Sequence, residues 1–284
     1  MEPASSASSA RPGRRSARPR PGAAGSVAPL GAANPLVRAA RQLHRTEARR
    51  ERGEFLAEGV RLVADALALG ARPRRVFVEP ERLERSGPGR ELLARLDPAT
   101  TVAVGAAAMQ ALADTRTPQG VAAVFSLELT AEAVGRVVLV LDGLQDPGNV
   151  GTAIRSAVAS GLVETVVVRG GADPFGPKAV RAAAAALFAL RIVRPADAEL
   201  PSLLRGRELW IAEARAGRRY DAVDWGRPSG LVIGSEAHGA SAELRSLATG
   251  SVGVPLRGPV ESLNAGVAAS IILFEAARQL NTTA

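Results

Sequence analysis

Residues 253–274 of this 284-residue chain read GVPLRGPVESLNAGVAASIILF. A short apolar run ends at Pro255, a glycine-proline turn follows, and Glu261-Ser262-Leu263-Asn264 lead into a small and apolar run, Ala265 to Phe274. The pattern predicts a strand end, an irregular loop and a helix whose first turn carries Ser262 and Asn264. Free backbone N–H groups at a helix start, beside a hydroxyl and an amide, suit a polar ligand. The same two side chains are also what a capped core helix would show.

Upstream, two more loops have the same setting. Val137–Leu141 is an apolar strand of the fully buried kind, and it runs into LQDPGNVGTAIRSA (144–157). Leu231–Ile233 runs into GSEAHGAS (234–241), and the third loop is GPVESLNAGVAAS (258–270). Between them lie strands at Val163–Val168, Leu190–Val193 and Leu209–Ala212, an alanine-rich helix at Lys178–Phe188, and a helix near Ala242–Leu247. Strand, glycine-bearing turn and helix, repeated, predict an α/β fold with an open parallel sheet and its site at the strand C-termini. The first loop lacks the G-x-G-x-x-G spacing and there is no Walker lysine, so nucleotide-phosphate binding is poorly supported. No Ser/His/Asp set exists near the loops. The polar side chains available are Asn149, Arg155, Glu236, Ser262 and Asn264; they suit a sugar-phosphate and a charged cofactor but include no strong base.

Before these loops, Asn34 to about Phe125 alternates. Pro35–Arg52 reads as one basic helix, followed by strands at Glu54–Glu58, Arg75–Val78, Val102–Val104 and Val121–Ser126 and helices at Val60–Leu69, Glu91–Leu96 and Ala106–Ala113. Such alternation predicts a small α/β sandwich over 34–126, with 127–135 as a linker and 136–284 as the second domain. Residues 1–33 are Ser, Ala, Pro, Gly and Arg with almost nothing to bury, and are expected to be a disordered basic tail. Their prolines and glycines would break the amphipathic helix of a transit peptide, and no secretory apolar region is present. A cytoplasmic location is expected.

Composition narrows the chemistry. There are no cysteines, which excludes disulfides and thiolate metal sites, and only two histidines, His44 and His238, so no metal centre is expected. No run is long and apolar enough to span a bilayer. Of the net +8, residues 1–61 supply +7, from twelve Arg and five Glu. That end is therefore expected to meet a polyanion. His44 reads as a solvated residue of the basic helix and His238 as an exposed loop residue.

The three loops, in this order, resemble motifs 1, 2 and 3 of the SpoU (TrmH) family of RNA 2′-O-ribose methyltransferases, in the SPOUT superfamily. DPGNVGTAIRSA, VIGSEAHGAS and VPLRGPVESLNAGVAASIILFE match its signatures almost throughout, and FLAEGVRLVADAL and TPQGVAAV resemble its N-terminal RNA-binding domain of ribosomal-protein L30e type. The resemblance covers about residues 37–280. It implies a fold that spacing alone does not: a SPOUT α/β domain whose C-terminal segment threads a loop as a deep trefoil knot. It also implies S-adenosyl-L-methionine as cofactor, a homodimer formed through that domain, and RNA as substrate, with ribosomal RNA favoured over transfer RNA.

By matching position the resemblance assigns Asn149 and Arg155 to motif 1, Glu236 to motif 2, and Ser262 and Asn264 to motif 3, as the residues where methyl donor and ribose meet. It places Gly234, Glu236, Val254, Leu256, Ser262, Leu263 and Asn264 around the cofactor. Arginines keep their proton in nearly any protein setting, so Arg155 is expected to hold a phosphate and ease loss of the hydroxyl proton electrostatically. The chain departs from the pattern at Ala183, Ala185 and Arg191, where the family commonly has Ser, Gly and Pro; alanine should keep that helix intact. Arg181 matches and is a candidate RNA contact. Two other readings stay open at this level. One is a catalytically silent RNA-binding or assembly protein on the same fold, the other a nucleotide-dependent dehydrogenase or phosphate-binding enzyme.

Overall fold

The computed structural model describes residues 28–128 and 132–282, with side chains to 280. Residues 1–27, the bulk of the expected tail, and 129–131 of the expected linker lie outside the described residues.

The N-terminal part runs α1 (Pro35–Gln42), α2 (Thr46–Arg52), β1 (Glu54–Glu58), α3 (Val60–Ala68), β2 (Arg75–Val78), α4 (Pro80–Leu83), α5 (Gly87–Arg95), β3 (Thr101–Ala103), α6 (Ala106–Leu112) and β4 (Val121–Ser126). Its sheet has the order β1-β4-β2-β3, antiparallel except for the β2–β3 pair. Asn34 starts α1 by accepting the Leu36 N–H at 2.9 Å, with Pro35 in the first turn.

The single basic helix expected over Pro35–Arg52 is two. The chain breaks at Leu43–Arg45, and the buried Arg49 explains how the break is held. Its Nη1 donates to the Leu43 and His44 carbonyls at 2.8 and 3.0 Å, satisfying acceptors that the broken helix leaves free. His44 is not solvated as expected: it is half-buried, with Nε2 2.9 Å from the Leu112 carbonyl.

The C-terminal part runs β5 (Val137–Asp142), α7 (Pro147–Ala159), β6 (Val163–Arg169), α8 (Pro177–Ala183), β7 (Arg191–Val193), α9 (Leu200–Leu203), β8 (Glu208–Ala212), β9 (Arg218–Arg219), β10 (Ser229–Gly234), α10 (Ala242–Leu247), β11 (Gly250–Gly253) and α11 (Ala265–Thr282). Its seven strands are ordered β7-β6-β5-β10-β8-β11-β9, and every pairing is parallel, as expected. All six residues of β5 are buried, which is why it reads as a continuous apolar run. The strand order changes direction between β5, which leads on to β6, and its neighbour β10, which leads to β11. That is a topological switch point, and the loops leaving the two strands frame a crevice there.

The alanine-rich helix expected over Lys178–Phe188 ends early. α8 stops at Ala183, Ala184 takes φ +52° and ψ −142°, and a 3₁₀ turn follows over Ala184–Phe188. Packing overrides propensity here. Phe188 turns into an aromatic cluster, 4.6 Å from Phe125 and 5.8 Å from Phe55, and Phe175 lies 5.1 Å from Phe55. This cluster joins the two parts of the molecule.

Two ion pairs cross the same junction: Arg49 to Asp173 at 2.7 Å and Arg181 to Asp114 at 2.5 Å. Burial pushes the Asp173 carboxyl up, but Arg194 and Arg49 outweigh it and hold it below the usual carboxylate range.

Candidate active site

A cavity of about 670 Å³ opens at the C-terminal ends of β8, β10 and β11, a size typical of small-molecule sites. Its apolar wall comes from Ile233, Val252, Val254, Leu256, Leu263 and Ile272, and its polar rim from Asn149, Ser235, Glu236, Ser262 and Asn264.

Each polar group is positioned by local structure. Asp146 caps α7 by accepting the Gly148 N–H at 2.8 Å and is held by Lys178 at 2.6 Å. These hydrogen bonds, Lys178 first, keep its carboxyl below the usual range. Asn149 sits in the first turn of α7, 7% exposed. α7 approaches α8 closely because residue 151 is glycine: a Cβ there would fall 2.5 Å from the Ala179 carbonyl oxygen and from the Ala182 Cβ.

After β10 the chain turns back on itself through Ser235–Gly239, closed by reciprocal backbone hydrogen bonds of 3.0 and 2.9 Å. Gly234 makes this possible, since its absent Cβ would lie 2.2 Å from Gly239 and Ala240. Asn264 is the residue before α11 and caps it, accepting the Val267 N–H on Oδ1 at 3.2 Å. The expected first turn is thus corrected. Neither Ser262 nor Asn264 lies inside the helix, and Ser262 belongs to the preceding loop, exposed on the cavity rim.

Three of these side chains form a chain of hydrogen bonds across the switch point. Asn264 Nδ2 donates to Asn149 Oδ1 at 2.7 Å, and Asn149 Nδ2 donates to Glu236 Oε1 at 2.8 Å. The other carboxylate oxygen accepts the Gln145 N–H at 3.1 Å. Burial works to raise the Glu236 carboxyl, but the bonds from Asn149 and from the Gln145 backbone prevail and hold it below the ordinary value. An ionised Glu236 can only accept, so it settles which way Asn149 points, and Asn149 in turn settles Asn264.

Of the residues singled out from sequence, Asn149, Gly234, Glu236, Val254, Leu256, Ser262, Leu263 and Asn264 all line this cavity. Arg155 does not. It is exposed on α7, outside the cavity, without a hydrogen bond or ion pair among the described residues. Arg181 is engaged by Asp114, and His238 is exposed in its loop, as expected. Sequence reading missed the segment Ala212–Arg215, which forms a wall after β8. That strand was identified, and the rule that sites gather at strand C-termini would have pointed to it.

The cavity suits S-adenosylmethionine. An apolar floor of Ile233, Val252 and Leu256 can take a flat base, and the ionised Glu236 supplies negative charge for a cationic ligand.

Residues 136–274 match the model of the SpoU rRNA Methylase family, and residues 34–123 match an MRM3-like substrate binding domain. An uncharacterized tRNA/rRNA methyltransferase of Synechocystis is 33% identical over 87% of this chain and 92% of its own length. The 23S rRNA (guanosine(2553)-2′-O)-methyltransferase RlmP of Bacillus subtilis is 32% identical over 86% of this chain and 96% of its own. Among solved structures, the SpoU methyltransferase AviRb from Streptomyces viridochromogenes, in complex with AdoMet, superposes with a TM-score of 0.77 at 29% identity, covering 88% of this chain and 99% of that one.

Proposed function

This chain belongs to the SpoU rRNA methylase family, and on that premise we propose how its residues carry out the family's reaction. The protein is an S-adenosylmethionine-dependent RNA 2′-O-ribose methyltransferase, with ribosomal RNA as the favoured substrate. The observation that carries the assignment of residues is the Asn264–Asn149–Glu236 chain of hydrogen bonds, which ties all three motif loops together across one cavity. Such an arrangement is hard to reconcile with a silent scaffold, because an amide relay anchored on the buried Asn149 and held in a single hydrogen-bonding orientation is a preorganised one.

S-adenosylmethionine supplies the methyl group. Gly234, Val254, Leu256 and Leu263 hold the cofactor's adenosine, Glu236 orders the amides, and Ser262 with Asn264 faces the meeting point of cofactor and ribose. Arg155 grips the phosphate beside the target ribose and stabilises negative charge developing on the 2′-oxygen. Because Arg155 stands outside its own chain's cavity, this role is best filled across a homodimer. Support comes from the surface beside it. α11 packs on α7 through Ser156 and Ser270, 2.7 Å apart, and exposes Val267 and Phe274. A second copy covering that face would carry Arg155 towards the partner's site.

The reading includes the family's trefoil knot, formed by the segment from β11 through α11, and an L30e-like RNA-binding domain over residues 34–126. It also includes a linker at 127–135, a SPOUT domain over 136–284, and action in the cytoplasm. The test is an RNA carrying 2′-deoxyribose at the modified nucleotide alone. It should bind but accept no methyl group; methylation at that nucleotide would overturn the 2′-O assignment.

A further inference from the structure

α1 buries Val37 and Ala40, with Leu43 just beyond it, in a cluster with Ala108, Met109 and Leu112 of α6. That packing leaves Arg38 and Arg41 exposed on α1, and Arg45 exposed in the turn that follows it, along one side of a groove between α1 and α6. The groove measures about 560 Å³ and is also lined by His44, Gln110 and Asp114. No acidic residue occurs between positions 28 and 46. None of the three guanidiniums has a hydrogen bond or ion pair among the described residues. The groove's one carboxylate, Asp114, is already engaged by Arg181 at 2.5 Å. Arg38 and Arg41 stand three apart on α1, a spacing at which like charges on a helix face each other and repel. A stripe of unneutralised cations facing a groove is the footprint of a polyanion.

We propose that the α1–α6 groove binds the sugar-phosphate backbone of the RNA substrate, with Arg38, Arg41 and Arg45 as phosphate contacts. This rests on the methyltransferase reading for the identity of the polyanion. The groove is joined to the catalytic machinery by rigid links. At its end, Asp114 is bonded to Arg181 of α8. α8 packs on α7 at Gly151, and α7 carries Asn149. On the other side Arg49 holds the α1–α2 corner through the Leu43 and His44 carbonyls and pairs with Asp173. Binding in the groove therefore places a distant ribose relative to the cavity, so that affinity gained far from the reacting oxygen is used for orientation. Phosphate contacts set register and orientation without reading bases.

The test uses the full chain and unmodified ribosomal RNA from cells lacking the enzyme. An Arg38→Gln/Arg41→Gln/Arg45→Gln variant is compared with Arg72→Gln/Arg85→Gln/Arg95→Gln, which neutralises three exposed, unpaired arginines elsewhere in the same part of the chain. The groove variant should raise KM for RNA about tenfold and leave kcat within about twofold. The slope of log affinity against log salt should flatten by about 2 to 3, one phosphate per arginine. Its affinity for S-adenosylmethionine by calorimetry should match wild type. Unchanged KM and slope, or equal losses in the control variant, would overturn the proposal. Should wild type fail to methylate RNA, the methyltransferase reading falls instead, and the salt slopes still decide whether this groove holds RNA.

Discussion

Asn149 and Glu236, 87 positions apart in the chain, meet at 2.8 Å across the point where the parallel sheet changes direction. The carboxylate accepts from the amide, and the amide oxygen is thereby left facing Asn264. One acid thus sets the donor–acceptor sense of two amides, at the cavity where cofactor and ribose are proposed to meet.

Replacing Asn149 by Asp sets two carboxylates against each other at that distance. They share a proton, and one of the pair titrates well above the usual range. Methylation by Asn149→Asp should fall on the order of 10²-fold at neutral pH and recover in part as the medium is acidified. Asn149→Ala should lose as much and recover nothing. Single-turnover rates across pH distinguish the two, and identical profiles would remove the amide from the relay.

Glu236 also links the site to stability. Its folded value lies below the unfolded 4.5, so it contributes stability that is fully present above 4.5 and is lost as pH falls through the folded value. Wild type should melt higher than Glu236→Gln at about pH 7, and the gap should close as the pH falls through the folded value, which lies below the unfolded one. A gap that persists in acid would mean that shape, not charge, holds the loop.

The Arg49–Asp173 pair is nearly dry, with side-chain exposures of 3% and 11%. Breaking one partner of a buried pair costs about 3–5 kcal/mol. Asp173→Asn strands both Arg49 and Arg194, whereas Arg49→Met leaves Arg194 on Asp173. Urea midpoints should therefore drop further for Asp173→Asn, and the reverse order would show that Arg49 acts mainly by capping the carbonyls of Leu43 and His44.

Ala184 holds a backbone conformation that glycine adopts freely and alanine does not. Ala184→Gly should raise stability by about 1 kcal/mol, the relief of strain exceeding the added chain entropy. Chemical denaturation checks this, and a loss of stability would mean that the alanine methyl contributes packing worth more than the strain.

Arg155 stands exposed while its motif partner Asn149 is buried. Arg155→Ala and Asn264→Ala proteins should each be inactive, yet mixed heterodimers should regain about a quarter to a half of wild-type activity if Arg155 serves the partner's cavity. Confirmed heterodimers without recovery would place each site within one chain.

The parallel sheet and most of the cavity's polar rim were legible in the order of the amino acids. Strands buried on both faces are written as unbroken apolar runs, and the loops that end them carry their function in a few consecutive residues. Hence Val137–Leu141 and the three glycine-bearing loops could be located with Asn149, Glu236, Ser262 and Asn264 in them, and the resemblance of their motifs added Gly234, Val254, Leu256 and Leu263. The rest needed the folded chain, because the contacts that govern it join residues far apart in sequence. Arg49 looks like one more surface arginine until Asp173, 124 positions away, is brought against it. The break after Gln42 depends on that same guanidinium, and the end of α8 on aromatic rings from β1 and β4. Arg155 shares a motif with Asn149, but the helix turns the two residues to different faces, one to the cavity and one to solvent.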